Sequence, residues 1–414
     1  MKQQPRLRRT FLFLQGPHGS FFPQLGAALR QAGHRVRRIN LNGGDRATWP
    51  QGFDFRGRLA KWPGFVARFV AEQGVTDMVL FGDSRPHHVE AIAIARRMDV
   101  RIHVFEEGYI RPDWVTLERD GVNGHSTLPR DPAWYLDRAR GLPPLGEHPP
   151  VPSYTTARGW AAFFYYAEVV LQHWRFPFHG SHRDRNPVWE GITFLRRFRM
   201  RDSDARATAA DLGRMGRRRY FLFPLQLTSD YQIRVHSRFG SMHGAIGEVL
   251  ESFARAAPLD AHLVVKEHPL DAGLIRWRDV VGATADRLGI RDRVAFVEQG
   301  DLVALVEKSA GMVTVNSTSG TLSLAAGKPV KVLGRAVYDI DGITDRRPLD
   351  QFWRDPRAPD PQRYDAFCRV LQRRCLIHGA FLSNAGIDLL VDQATARLTA
   401  DDDALIAAPV RRAS

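Results

Sequence analysis

The sequence predicts an α/β protein with two Rossmann-like domains, each carrying a parallel sheet. Three observations lead there. Short apolar runs rich in β-branched and aromatic residues alternate with amphipathic helical stretches over residues 10–110, and the alternation resumes over residues 220–333. A Pro-rich and then aromatic- and Arg-rich middle separates the two series. Most of the apolar runs stop at glycine, proline or small polar residues, the composition of turns at strand ends.

In chain order, Thr10 to Gly16 reads as a buried strand, broken at Gly16-Pro17-His18-Gly19-Ser20. A helix with Phe22, Leu25, Ala28 and Leu29 on one face follows, then a strand from Val36 to Leu41. The glycine loop at 16–20 fits neither a dinucleotide nor a Walker pattern. It is either a tight turn or a substrate loop. Asn42 to Arg58 reads as irregular, Trp62 to Gln73 as helix, and Asp77 to Gly82 as strand, followed by Asp83-Ser84-Arg85. Val89 to Met98 is a helix, and a strand from Arg101 ends in Glu106-Glu107-Gly108-Tyr109. Leu142-Pro143-Pro144 and Pro149-Pro150-Val151-Pro152 read as linkers. Tyr154 to Phe178 is dense in Trp, Phe and Tyr, and is either a helix packed into the protein or a segment lying at a membrane interface. Arg183 to Arg218 is either a solvated helix or a patch facing anionic lipid. The second series has strands at Tyr220–Gln226, His262–Glu267, Val294–Val297, Met312–Val315 and Val330–Leu333. The expected domains are residues 1–205, with a helical insert at about 150–205, and residues 206–360. Helices over 361–414 cross back to the first domain.

The 414 residues are enough for two domains, and a 44% hydrophobic content supports a sizeable core. Two cysteines, Cys368 and Cys375, give no disulfide framework and no metal spacing, which fits a reducing cytoplasm. No cofactor and no metal are expected. The net charge of +14, nearly all of it from Arg, points to an anionic partner or to an Arg-rich solvated surface. The sequence shows no helix-turn-helix, zinc or RNP pattern, so nucleic acid is not the expected partner. No secretory segment is recognised at the start, and no apolar run reaches the roughly 18 residues needed to span a bilayer.

Four motifs carry chemistry. Asn316-Ser317-Thr318-Ser319-Gly320 ends a strand at a helix start. It is either a plain cap or an anion site made of hydroxyls and amides. In Lys266-Glu267-His268-Pro269, the proline holds an extended backbone that aims the imidazole out of the strand end, where Lys266 and His268 together could neutralise a phosphate. Glu106 and Glu107 close a first-domain strand, either for acid/base work or for a cap or salt bridge, and period-two geometry sends them to opposite faces. Pro224-Leu225-Gln226 leads to Asp230, which is a nucleophile, a ribose ligand or a turn residue.

These pieces, in this order, resemble the capsule polysaccharide biosynthesis/export family, KpsS/LipB branch. The resemblance rests on Gln15-Gly16-Pro17 with Phe21-Phe22, Gly82-Asp83-Ser84-Arg85, Phe105 to Pro112, Pro224-Leu225-Gln226 with Asp230 and Gln232, Lys266 to Pro269, and Asn316 to Gly320, and spans about residues 10–380. It implies a GT-B-like enzyme whose two domains face a cleft, moving β-Kdo from CMP-β-Kdo onto a phosphatidylglycerol-type lipid to start the poly-Kdo linker of an exported capsule. By that resemblance His268 and the Ser317–Ser319 turn would hold the CMP phosphate. Donor and product would both be β, and retention most simply needs two carboxylates, so Asp230 is the expected nucleophile and Glu107, or else Glu106, the expected acid/base. Gln226, Lys266, Glu267, Pro269, Asn316, Thr318 and Gly320 would line the donor side, and Gly16, Pro17, Asp83 and Arg85 the acceptor side. It also implies an anionic lipid acceptor, a two-module KpsC-type transferase and the capsule export machinery as partners, and a place on the cytoplasmic face of the inner membrane. The alternatives are another CMP- or UDP-sugar-dependent transferase, or a non-catalytic export protein.

Overall fold

The computed structural model describes residues 8–146, 148–152, 155–179, 187–227, 233, 237–271 and 273–400. The chain divides into two compact units. The first comprises Met1–Thr127, Arg140–His182 and Arg369–Ser414, and the second Leu128–Ala139 and Arg183–Cys368. Both are α/β, as the alternation predicts.

The first unit is built on β1 (Thr10–Phe13), β2 (Arg35–Asn40), β3 (Phe53–Asp54), β4 (Asp77–Phe81), β5 (Arg101–Glu107) and β6 (Trp114–Arg119). The second is built on β7 (Tyr220–Pro224), β8 (His262–Lys266), β9 (Val294–Val297), β10 (Gly311–Thr314) and β11 (Val330–Val332). A last strand, β12 (Leu376–His378), returns to the first unit.

The first sheet has the order β12-β6-β5-β4-β1-β2-β3. Burial on both faces explains its continuous apolar strands: Phe11 and Phe13 join one core cluster, and Leu12 and Leu14 the other. The pairs β1/β2, β2/β3, β1/β4 and β4/β5 are parallel, whereas β6 runs antiparallel to β5 and β12 antiparallel to β6. The short link from Glu107 to Trp114 cannot hold a crossover helix, so the chain turns back as a hairpin. The helix Asn384–Thr399 then packs against the helix Phe21–Gln31, which carries the C-terminal segment back onto the first unit.

The stretch from Asn42 to Arg58 is more ordered than its composition suggests. A helix at Gly43–Thr48 is capped by Asn42, whose side chain accepts from the Asp45 amide. It packs against the aromatic helix Thr155–Leu171 so closely that a Cβ on Gly43 would collide with the Glu168 carbonyl oxygen. The glycine is required by that close approach.

The second sheet has the order β11-β10-β7-β8-β9, and every pairing is parallel. In each unit the first strand sits centrally. From β7 the chain winds through β8 to β9, then returns to the other side for β10 and β11. From β1 it winds through β2 to β3, then returns for β4 and β5. Each sheet therefore has a topological switch point, between β7 and β10 and between β1 and β4, where open α/β sheets bind ligands outside the strand carboxyl ends.

Candidate active site

In the second unit the residues singled out by sequence collect at the carboxyl ends of three neighbouring strands, β10, β7 and β8. Gln226 and Asn316 bridge the switch point. Gln226 Nε2 donates to Asn316 Oδ1 at 2.9 Å, and the Asn316 amide donates to Gln226 Oε1 at 3.1 Å. Both residues are buried, and this reciprocal pairing satisfies most of their polar groups.

Beside that bridge, the backbone after Asn316 is tightly wound. The Ser317 amide donates to Thr314 Oγ1, the Ser319 amide to Ser317 Oγ, the Gly320 amide to the Ser317 carbonyl and the Thr321 amide to the Thr318 carbonyl. Tyr338, whose ring covers Gly320, donates its hydroxyl to the same Ser317 carbonyl. The helix itself is short, Ser319–Ala325. These amides are engaged inside the turn, so its half-buried hydroxyls, with Ser319 Oγ 2.9 Å from Ser317 Oγ, are the groups it offers to an anion.

At the end of β8, His268 is half-exposed, and its Nδ1 accepts from the Leu270 amide at 3.1 Å. That bond assigns the neutral ring the tautomer with hydrogen on Nε2, which makes Nε2 a donor. Pro269 follows, exposed. Lys266 is buried, and its Nζ donates to the Glu267 carbonyl at 3.3 Å. Glu267 lines a small cavity of about 60 Å³ with Asp204, Arg276, Arg278 and Glu298. The Glu298 carboxylate, at the end of β9, is bound by Arg278, whose charge it and Asp211 reinforce despite burial. Asp230, the expected nucleophile, lies outside the described residues.

In the first unit the singled-out residues sit at the ends of β1, β4 and β5, again neighbours. Gly16 packs against the Phe22 ring. Gly82 takes a left-handed φ of 69°, a conformation that disfavours any side chain. Glu106 folds back along the strand end: its Oε1 accepts from the Glu107 amide at 2.9 Å, and its Oε2 lies against Gly82. Glu107 is half-buried at the end of β5. Asp83 is buried and engaged: Oδ2 accepts from the Val122 amide at 2.9 Å and lies 3.2 Å from His125 Nδ1, while Ser84 donates to Oδ1. Burial opposes its ionisation, but His125 and the Val122 amide hold its carboxyl below the usual carboxylate range. Asp83 thus ties the β4 loop to the turn at 122–125. Arg85 precedes the helix Pro86–Arg97 at its N-cap position without a side-chain capping bond, and its guanidinium lies over the Phe81 ring.

The family described as capsule polysaccharide biosynthesis protein matches residues 76–382 of the chain. The chain is also 35% identical over 387 residues to the capsule polysaccharide modification protein LipB of Neisseria meningitidis serogroup B, covering 90% of this chain and 92% of that protein. It is 33% identical to the capsule polysaccharide export protein KpsS of Escherichia coli, over 87% of this chain and 93% of that one. The chain belongs to the capsule polysaccharide biosynthesis protein family. Among solved structures, the Thermosulfurimonas dismutans KpsC β-Kdo 2,7 transferase aligns at 16% identity with a TM-score of 0.43, over 93% of this chain and all of that one.

Two clusters in this capsule family member escaped sequence reasoning. In the first, Tyr165 is buried among Gln15, Asn42 and Asp45: its hydroxyl accepts from Gln15 at 2.6 Å and Asn42 at 3.0 Å, and donates to Asp45 at 3.0 Å. His18 stacks on the Tyr165 ring with centroids 4.5 Å apart, so the loop after β1 leans on the aromatic helix. No spacing distinguishes Tyr165 from its aromatic neighbours. In the second, the Tyr109 hydroxyl donates to the buried Glu118, which also accepts from Ser126 at 2.6 Å, while the Asn123 amide donates to Tyr109 at 2.7 Å. Burial pushes the Glu118 carboxyl up to about 7, against the pull of those bonds. Here a signal existed: Glu118 follows the strand-like stretch Trp114-Val115-Thr116-Leu117 directly.

Proposed function

We propose that the protein is a retaining glycosyltransferase that moves β-Kdo from CMP-β-Kdo to a phosphatidylglycerol-type lipid, starting the poly-Kdo linker of an exported capsular polysaccharide. The observation that carries this reading is the Gln226–Asn316 bridge across the β7/β10 switch point, flanked by the His268 Nε2 donor and the Ser317 and Ser319 hydroxyls. Family membership supplies the capsule context. When the anomeric C–O bond breaks, its electron pair leaves with the CMP phosphate, which becomes a monoester dianion. Such a group needs donors aimed at its oxygens more than it needs a proton. Lys266, Thr318 and Gly320 shape that seat on the donor side.

Donor and product are both β, and two inversions give that outcome most simply. Asp230 attacks the anomeric carbon as CMP leaves. The acceptor hydroxyl then displaces Asp230, its proton passing to Glu107, or else Glu106. Gly16, Pro17 and Arg85 lie at the first unit's switch point, where the acceptor would enter. On this reading the protein works on the cytoplasmic face of the inner membrane, and a two-module KpsC-type transferase and the export machinery take over its product.

The test is incubation of the purified protein with CMP-Kdo and a fluorescent phosphatidylglycerol analogue, followed by mass analysis of the lipid. CMP-sialic acid and UDP-sugars serve as competing donors. One added Kdo, lost in Asp230→Ala, is the expected result. Transfer from a UDP-sugar instead, or near-wild-type transfer by Asp230→Ala, overturns the donor assignment or the covalent route respectively.

A further inference from the structure

Among the described residues, one face of the helix Thr155–Leu171 and the turn after it stands exposed. Trp160 is 62% exposed, Phe163 60%, Phe164 61%, Leu171 68% and Trp174 75%. Their spacing puts them on one side of the helix, and Trp160, Phe163 and Phe164 touch one another with ring centroids 5.7–5.9 Å apart. Phe178, four residues after Trp174, is also exposed, and the Arg58 guanidinium lies over its ring at 5.0 Å. Isolated exposed apolar residues are ordinary, but a contiguous aromatic stripe of this kind marks a binding surface.

We propose that this stripe inserts into the headgroup and upper acyl region of a bilayer containing anionic lipid. Three features favour that occupant. Tryptophan at both ends and phenylalanine between suits an interface that is apolar on one side and wet on the other. Arg58, at the Phe178 ring, and Lys61, three residues on, are both exposed and can meet anionic headgroups, and the whole chain carries +14. Asp54, the nearby acid, is held by Arg175 and Arg46 at 2.8 and 3.0 Å, so it does not cancel that charge. A second copy of the chain, packed symmetrically on the same face, would instead bring like-charged borders together. Among the described residues no helix is long and apolar enough to cross a membrane, so the segment would lie along the surface.

The opposite side of the same helix carries Tyr165, with Gln15 bonded to its hydroxyl and His18 stacked on its ring. A bilayer gripping the stripe therefore holds the loop after β1 next to the lipid. That consequence rests on the lipid-acceptor reading above; membrane docking itself does not.

The test uses the full chain and sedimentation with vesicles of phosphatidylcholine mixed with phosphatidylglycerol, alongside vesicles of phosphatidylcholine alone. The triple variant Trp160→Ser/Phe164→Ser/Trp174→Ser should lose on the order of tenfold or more in partition to the mixed vesicles. Leu259→Ser, at a still more exposed position in the other unit, should lose none. Intrinsic tryptophan fluorescence should be quenched by lipids brominated in the acyl chain, and less so in Trp174→Ser, a single change at an exposed site that leaves the fold intact. The proposal falls if the triple variant binds as the wild type does, if brominated lipid quenches nothing, or if the wild type is a dimer that the triple variant dissociates. Because the readout is binding, absence of glycosyl transfer would count against the proposed reaction and leave this inference standing.

Discussion

The two switch points are built in the same place and held together differently. At β7/β10 a neutral amide pair, Gln226 and Asn316, joins the strand ends directly. At β1/β4 the loops are tied down from below by acids: Asp83 holds the Val122–His125 turn, and Glu118 holds Tyr109 of the Glu106-Glu107-Gly108-Tyr109 loop. A neutral bridge keeps its geometry at any pH and leaves adjacent donors to meet a leaving phosphate. Charged and titratable tethers make the other site sensitive to pH and to the protonation of its own supports. On the proposed reaction, the contrast suits a donor seat that must be fixed and an acceptor side that must handle a proton.

The largest test of this division concerns the two glutamates. On the proposed mechanism, Glu107→Gln lowers transfer by about 10²–10⁴-fold. Glu106→Gln costs far less, because Glu106 already accepts from the Glu107 amide. Steady-state kcat with CMP-Kdo and the lipid analogue separates them, and the reverse order would transfer the acid/base role to Glu106. Next comes His268→Ala, expected to lower kcat by about 10²–10³-fold, the usual cost of losing one donor to developing charge. Since His268 is half-exposed, its melting temperature should not move. A rate within twofold of wild type would remove the imidazole from the leaving-group seat.

A smaller effect should come from the bridge itself. Asn316→Ala leaves the buried Gln226 amide without its partner, at a cost of about 1–3 kcal/mol. Equilibrium denaturation would measure it, and Gln226→Ala/Asn316→Ala should cost less than the sum of the two single changes if the pair acts as a unit.

Much of this was readable before the structure. The apolar runs became strands because they are buried on both faces, and the polar residues following them fell at strand ends by simple continuity, as at Gln226, His268 and Asn316. What was not readable depends on contacts distant in sequence. β12 exists because three residues near the C-terminus pair with β6, more than two hundred residues earlier in the chain. The helix at Gly43–Thr48 depends on the helix at 155–171 to cover its glycines. The turn at Ser317 has a composition that suggests free amides, but Thr314, Ser317 and Thr318 take up those amides locally, a matter of backbone conformation that residue type does not specify.

The most discriminating prediction follows from Glu118. Burial raises its carboxyl to about 7 in the folded protein, whereas in the unfolded chain it titrates near its ordinary 4.5. Between those values the folded state holds a proton that the unfolded state has lost. Stability from this group is therefore fully present below about pH 4.5 and is lost as pH rises towards 7. The slope is at most about 1.4 kcal/mol per pH unit. Glu118→Gln keeps the shape and removes the titration, so its stability should fall less than that of the wild type over that window. The effect should also be local. Amide exchange at Asn123, whose N–H donates to Tyr109, should quicken with pH beyond the intrinsic rate in the wild type and not in Glu118→Gln. Exchange at Asn316, bound to the neutral Gln226, should show no such difference between the two proteins. If Asn316 responded to Glu118→Gln as strongly as Asn123, the two switch points would share one support, and the division between a neutral donor seat and a titratable acceptor side would fail.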